Sequence, residues 1–413
     1  MTARLGIARR GAAILLSVGL LALQGCASVV IREPTAAQGK APNAIRTLGT
    51  DRQFSTLSSQ SVARGLLSQR AGQPVNILAL SGGGADGAFG AGALVGLTQS
   101  ALRPQFSVVT GVGAGALIAP YAFLGPEWDD RLIEAYTSGP AEHLLRSRGL
   151  GALFGSGVYS GAPLRQLVDR YATDALIQAV AREASAGRLL LVATTDVSTG
   201  EPVVWDLGSI AMNGGSAARE LFRDVLVASA SVPGLFPPVV IRVQEQQVLS
   251  EEVHVDGTIA VPFFVPLAFV EPARDAHGPS HGAAVYVIVN GRLSEQPVPT
   301  RLRIKSNPSR SVSTALNHMR TTLELTAIDA DHEGAQFEFA AIPVAYPQLD
   351  SFDFRTPTMR TLFQYGYQCA QAGRLWTPAR SAGRDGENRG DTGAGRPIHC
   401  PADDEFIGRL ALR

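Results

Sequence analysis

Two short apolar runs in this chain stop at glycine, and each is followed by a segment of helical character. Val75 to Leu80 (VNILAL) leads into Ser81-Gly82-Gly83-Gly84. Phe106 to Thr110 leads into Gly111-Val112-Gly113-Ala114-Gly115. A short run of this kind without polar alternation suits a strand covered on both faces, and glycine at its end permits a sharp turn. Leu189 to Thr194 (LLLVAT), Val203 to Trp205, Val253 to Asp256 and Ala284 to Asn290 (AVYVIVN) read the same way. Amphipathic helices lie among them. Ala162 to Tyr171 has Pro163 at its start and Leu164, Leu167, Val168 and Tyr171 on one face. Thr173 can cap a helix carrying Leu176, Ile177 and Val180 inward. Ser216 can open another, with Leu221, Phe222, Val225 and Leu226 opposite Arg219, Glu220, Arg223 and Asp224. The alternation predicts an α/β fold with a mainly parallel sheet covered on both faces. Val312, Leu316, Met319 and Leu323, and then Thr356 to Ala372, predict a more helical C-terminal part.

The N-terminus reads as a targeting signal. Arg4, Arg9 and Arg10 precede an apolar run from Ala12 to Leu23, too short for a comfortable membrane span and long enough for a signal core. It ends in Leu23-Gln24-Gly25-Cys26, which resembles the bacterial lipobox. The resemblance implies a signal peptide over residues 1–25, cleavage before Cys26, and a membrane anchor made by lipid chains on that cysteine. An ordinary secretory signal with a chance cysteine is the alternative. Ala27, rather than Asp, leans by analogy with other lipoproteins toward the periplasmic face of the outer membrane. Residues 26–73, rich in Pro, Ser, Gln and Thr, read as a polar tether. The main domain is then expected over 74–270, a packed C-terminal extension over 271–378, and a flexible loop and tail over 379–413, where segment 380–397 is rich in Gly, Arg and Asp.

Lys plus Arg equal Asp plus Glu at 36 each, so charge gives no case for a nucleic-acid partner. After lipidation of Cys26, Cys369 and Cys400 remain, and a disulfide and two free thiols both stay open. Without close cysteine spacing or clustered histidines, no metal site is expected, and no cofactor motif emerges.

Four segments carry chemistry. The turn Ser81 to Gly87 can present free N–H groups to an anion, but alone it is unspecific. A dinucleotide reading would need an acidic residue closing the second strand, which instead ends in Thr110-Gly111. Gly111 to Gly115 has the layout of a nucleophile elbow, Gly-x-Ser-x-Gly, with Gly111 and Gly115 at its outer positions and Gly113 where serine would stand. Ala228 to Pro238 (ASASVPGLFPP) reads as a proline-locked turn whose Leu235 and Phe236 pack inward or line a pocket. In His254-Val255-Asp256-Gly257-Thr258, a carboxylate at a strand end can reach a site at the sheet's carboxyl edge, although a lone Asp-Gly is most often a turn.

In this order and spacing the set resembles the patatin-like phospholipase family, over roughly residues 75–270, with Leu78 to Leu94 and ASASVPGLFPP the most specific pieces. The resemblance implies a three-layer α/β/α domain and a serine–aspartate dyad without histidine. Gly82, Gly83 and Gly84 would form the oxyanion hole, Asp256 would be the base, and the nucleophile position falls on Gly113. Where the family usually has Arg or Lys, this chain has Asp86, whose charge would oppose an oxyanion nearby. Glycine cannot form an acyl-enzyme. The expectation is therefore a pseudoenzyme that keeps the scaffold and binds a lipid, an acyl ester or an envelope protein partner. Two alternatives are an acyl hydrolase in which Asp256 activates Ser81, Thr110 or a water in the space vacated at Gly113, and a structural envelope protein. His254, on the same strand face as Asp256, could bind or shuttle protons; a packed histidine is the commoner outcome.

Overall fold

The computed structural model describes residues 44–49, 54–69, 73–145, 157–245, 248–270, 283–293, 307–347, 349–378 and 400–401. The signal segment 1–25, Cys26 and the loop 380–397 lie outside the described residues. No described helix is long and apolar enough to cross a membrane.

Among the described residues one sheet collects eleven strands. Its centre is parallel, in the order β10 (Gln336–Ala341), β9 (Ala284–Val289), β3 (Asn76–Leu80), β4 (Val108–Val112) and β5 (Leu189–Asp196). Beyond β5, the antiparallel partners are β6 (Pro202–Asp206) and β8 (Val248–Asp256), and β8 pairs in turn with β7 (Val239–Glu245).

The reason β3 reads as an unbroken apolar run is visible in its neighbours. Leu78 and Leu80 enter one core with Phe89, Phe123 and Phe222, while Ile77 and Ala79 enter a second core with Phe263, Met319 and Leu323. A strand alternates its side chains between faces, so burial on both faces demands apolar residues at every position. Each face is covered by helices, which makes the three layers. One layer holds α2 (Gly87–Gln99), α3 (Ala114–Leu124), α4 (Asp129–Thr137), α5 (Ala162–Tyr171), α6 (Asp174–Ser185), α7 (Leu207–Asn213), α8 (Gly215–Ser229) and α10 (Thr356–Gln371). The other holds α1 (Ser59–Gln69) and α9 (Asn307–His332). Thr173 caps α6 as its position suggests, accepting from the Leu176 N–H at 3.2 Å.

Three expectations change. The tether expected over 26–73 is folded in its second half: β1 (Ala44–Leu48) pairs with β6, β2 (Phe54–Ser58) pairs with β1, and α1 follows. Ile45, Phe54 and Leu66 supply the buried contacts, and Phe54 meets the Trp205 ring edge-on at 5.7 Å. So few apolar residues set among Ser, Thr and Gln leave no readable period. The segment 271–378 is not a layer on a finished domain, because β9 and β10 are members of the parallel sheet itself. Finally, β4 runs through Gly111 to Val112 instead of ending at Thr110. The open question of the cysteines closes as a Cys369–Cys400 disulfide, Cα–Cα 5.5 Å, joining the end of α10 to the chain beyond the loop.

Candidate active site

Strand register builds the site. Val112 pairs with Ala193 across β4 and β5, and Asp256 pairs with Thr194 across β5 and β8. Gly113 and Asp256 therefore leave the sheet at one level, at its carboxyl edge. A Cβ placed on Gly113 would lie 3.3 Å from Asp256 Oδ1. Asp256 and the Gly113 position are thus neighbours, and glycine brings no hydroxyl to the carboxylate.

Gly113 keeps the elbow's backbone, at φ 57° and ψ −124°. A side-chain-bearing residue is strained there, and such strain persists only where the surroundings impose it. Here Ser229 Oγ accepts from the Gly113 N–H (3.1 Å) and donates to the Ala193 carbonyl (2.7 Å). Gly111 lies within β4 and Gly115 in the first turn of α3, where a Cβ would stand 2.4 Å from the Leu80 carbonyl oxygen. The ASAS run thus ties the elbow to the sheet. It also ties the base: the Asp256 N–H donates to the Ser231 carbonyl at 2.9 Å, and Thr195 Oγ1 donates to the Asp256 carbonyl at 2.9 Å.

The Asp256 side chain is buried. Burial pushes its pKa up to about 6, against hydrogen bonding from Thr258 that holds it down. The Thr258 amide donates to Oδ1 at 2.8 Å. A carboxylate that titrates near 6 and is mostly ionised at neutral pH suits a general base.

The glycine loop is only partly available as an oxyanion hole. The Gly82 N–H donates to the Pro262 carbonyl at 3.2 Å, which takes it out of the donor set expected for Gly82, Gly83 and Gly84. The Gly83 and Gly84 N–H groups have no hydrogen-bond partner among the described residues. Asn290, closing β9, holds the loop in place. Its N–H donates to Ser81 Oγ (2.8 Å), its Nδ2 donates to the Ser81 carbonyl (2.7 Å), and its Oδ1 accepts from the Gly90 N–H (3.1 Å). In the sequence Asn290 is merely the polar end of an apolar run, and that ending is the one signal it offers.

Neither hydroxyl considered as a substitute is free to attack. Ser81 Oγ donates to the Gly82 carbonyl (2.7 Å) and Thr110 Oγ1 to the Phe264 carbonyl (2.7 Å). The space at Gly113 is small: a Cβ there would meet Thr258 Oγ1 at 2.9 Å, Gly82 Cα at 3.1 Å and Asp256 Oδ1 at 3.3 Å, so it is bordered by two oxygens. His254 is a packed histidine, bonded through Nδ1 to Thr194 Oγ1 (3.0 Å) and through Nε2 to Glu252 (3.1 Å), with its ring against Trp205. Asp86 is buried. Burial pushes its pKa up to about 7, opposed by a hydrogen bond from Ser351 Oγ (2.7 Å) and by the nearby charge of Arg292. Much of the negative charge expected beside the loop is thus absent near neutral pH.

From this corner an apolar cleft of about 80 Å³, partly open to solvent, runs between the helices. Gly84 and Ala114 stand at the site end, with Leu117, Ala135, Leu144 and Leu167 further in. Its walls offer almost no polar partner.

Residues 78–267 match the family model described as patatin-like phospholipase. Among solved structures, VipD from Legionella pneumophila is similar, covering 81% of this chain and 71% of its own at 10% identity, with a TM-score of 0.35. No curated protein matches. The segment that matches the family model begins within β3 and ends beyond Asp256, so it contains both glycine turns and that carboxylate, in a mixed α/β fold whose central sheet is mostly parallel.

Proposed function

We propose that this protein holds the acyl chain of a membrane lipid in the helical cleft, and that it is a pseudoenzyme as regards the family's serine–aspartate chemistry. The observation that carries the reading is the cleft itself. It is apolar throughout, and its site end is formed by Gly84 and Ala114, the chain neighbours of Gly83 and Gly113. An acyl chain lying there would bring its carbonyl toward the unpaired N–H groups of Gly83 and Gly84 and toward Asp256. Position 113 supplies no oxygen to attack it. The lipobox-like setting of Cys26 supports an anchor on the cell envelope, with the outer membrane as the place and its lipids as the ligand source.

Titration of the full chain with a fluorescent fatty acid tests the reading. Saturable binding is expected, displaced by phospholipid. Ala135→Trp, which fills the cleft, should weaken it at least about tenfold, since an overfilled apolar site loses contacts worth a kcal/mol or more. Absence of saturable binding, or binding indifferent to Ala135→Trp, would overturn it. For the anchor, Cys26→Ala should move the protein from the membrane to the soluble fraction.

A further inference from the structure

We propose that Thr258 is the nucleophile of this site, its Oγ1 standing beside the place that a serine hydroxyl at position 113 would take. The proposal rests on the acyl-ligand reading and adds chemistry to it. Thr258 Oγ1 lies 2.9 Å from the point where a Gly113 Cβ would be, and Asp256 Oδ1 lies 3.3 Å from the same point. A hydroxyl arriving from the turn after β8 thus lies beside the place from which the elbow would present its own. That oxygen is also only 2.2 Å from where a Gly82 Cβ would be, so it is lodged against the glycine loop and needs glycine there.

Thr258 is held firmly in this pose. It sits in the turn Gly257–Ile259, its N–H donates to Asp256 Oδ1 (2.8 Å), and its hydroxyl acts on the same carboxylate. The other hydroxyls described around the site are bound to carbonyl oxygens: Ser81 to Gly82, Thr110 to Phe264, Ser229 to Ala193 and Ser231 to Val227. Thr258 alone among them stands, with Asp256 Oδ1, around the Gly113 position without a carbonyl partner among the described residues. A hydroxyl paired with a carboxylate that can take its proton is the arrangement of an activated nucleophile.

In the first step Thr258 Oγ1 bonds to the ester carbonyl carbon and its proton passes to Asp256. The carbonyl oxygen, now anionic, faces the Gly83 and Gly84 N–H groups. The bond to the alkoxy oxygen then breaks, and the proton on Asp256 goes to the departing alcohol. Water attacks the acyl-threonine ester and gives one proton to Asp256. Collapse releases the carboxylic acid and returns that proton to Thr258 Oγ1. The sum is ester plus water giving acid plus alcohol.

The full chain is assayed with p-nitrophenyl butyrate and labelled in parallel with a fluorophosphonate, the modified peptide being identified by mass spectrometry. Turnover and an adduct on Thr258 are expected. Thr258→Val keeps the side-chain shape and should lower turnover at least about 100-fold, as removal of an attacking group does, whereas Thr258→Ser should stay within about tenfold of the native chain. Asp256→Asn should abolish labelling. Fatty-acid binding by Thr258→Val should match the native protein, so a failed nucleophile and a failed ligand reading give different results. A native chain with neither turnover nor adduct, an adduct on another residue, or unchanged turnover in Thr258→Val would overturn the proposal and leave Thr258 as filler beneath the loop.

Discussion

The two glycine turns at the carboxyl edge of the sheet contrast in what each retains. The turn after β3 works through its backbone. Two of its N–H groups point at nothing among the described residues, and Asn290 braces it from β9. The turn after β4 also has its backbone intact, at φ 57°, yet what it would present is a side chain, and that is gone. Each turn has a buried carboxylate beside it: Asp86, pushed up to about 7, next to the first, and Asp256, pushed up to about 6, next to the second. The contrast separates two ways of encoding a site. Backbone geometry is imposed by packing around the turn and survives loss of the functional atom. Side-chain chemistry resides in one residue and, once that residue changes, has to come from another.

The strongest way to break this comparison is to attack the packing that imposes the elbow. A Cβ on Gly115 would stand 2.4 Å from the Leu80 carbonyl oxygen and 2.6 Å from that of Ser81, both backbone atoms that cannot swing aside. Gly115→Ala should therefore cost about 3 kcal/mol or more, as overpacking against fixed neighbours does, and urea unfolding would read it. A loss under about 1 kcal/mol would mean that the elbow relaxes freely and its shape carries no information.

Gly113→Ser comes next. The substitution places a side chain at a left-handed φ, 2.9 Å from Thr258 Oγ1 and 3.1 Å from Gly82 Cα. We expect a loss of about 1–3 kcal/mol, from strained backbone and crowding together. Adding Thr258→Gly should return part of it, because the nearest obstruction is then gone. If the double variant is no more stable than Gly113→Ser alone, Thr258 is not what fills the space.

Much of this architecture is legible in the chain. Continuous apolar runs mark the parallel strands because both faces are buried, and glycine spacing marks both turns because packing excludes larger residues. What is not legible depends on register between segments far apart. Nothing local distinguishes Thr258 from any threonine after Asp-Gly; its place is set by β8 pairing with β5 and β5 with β4. Gly82 reads as an oxyanion donor until the Pro262 carbonyl is found on its N–H. β1 and β2 escape notice because their burial rests on Ile45, Arg46 and Phe54, and a buried arginine adds nothing to an apolar pattern.

Acidity sharpens the comparison by a smaller margin. Burial raises Asp86, Asp206 and Asp256, the last two to about 6 and the first to about 7. The native state therefore holds protons that the unfolded chain releases near pH 4, and stability falls as pH rises from about 4 to about 7. Tm measured across that window should drop, then level off, and Asp256→Asn should remove part of the slope. Ester turnover should move in the opposite sense, rising through about pH 6 as Asp256 ionises. A Tm that instead climbs from pH 4 to 7 would show that these carboxylates are ionised without penalty.

The smallest effect belongs to the first turn. Ser351 Oγ donates to Asp86 Oδ2 at 2.7 Å, and the Ser351 carbonyl accepts from the Ala85 N–H at 2.7 Å. Ser351→Ala removes the first bond and keeps the second, so the loop's backbone should hold. The donated hydrogen bond favours the ionised carboxylate, and its loss should raise Asp86 further above about 7. The cost in stability should be about 1 kcal/mol at pH 8, where Asp86 carries its charge, and less at pH 5, where it is protonated. Chemical denaturation at the two pH values would read the difference. An equal loss at both would mean that Ser351 serves the loop by packing alone, and that the turn after β3 depends on its neighbouring carboxylate no more than the elbow depends on a side chain at position 113.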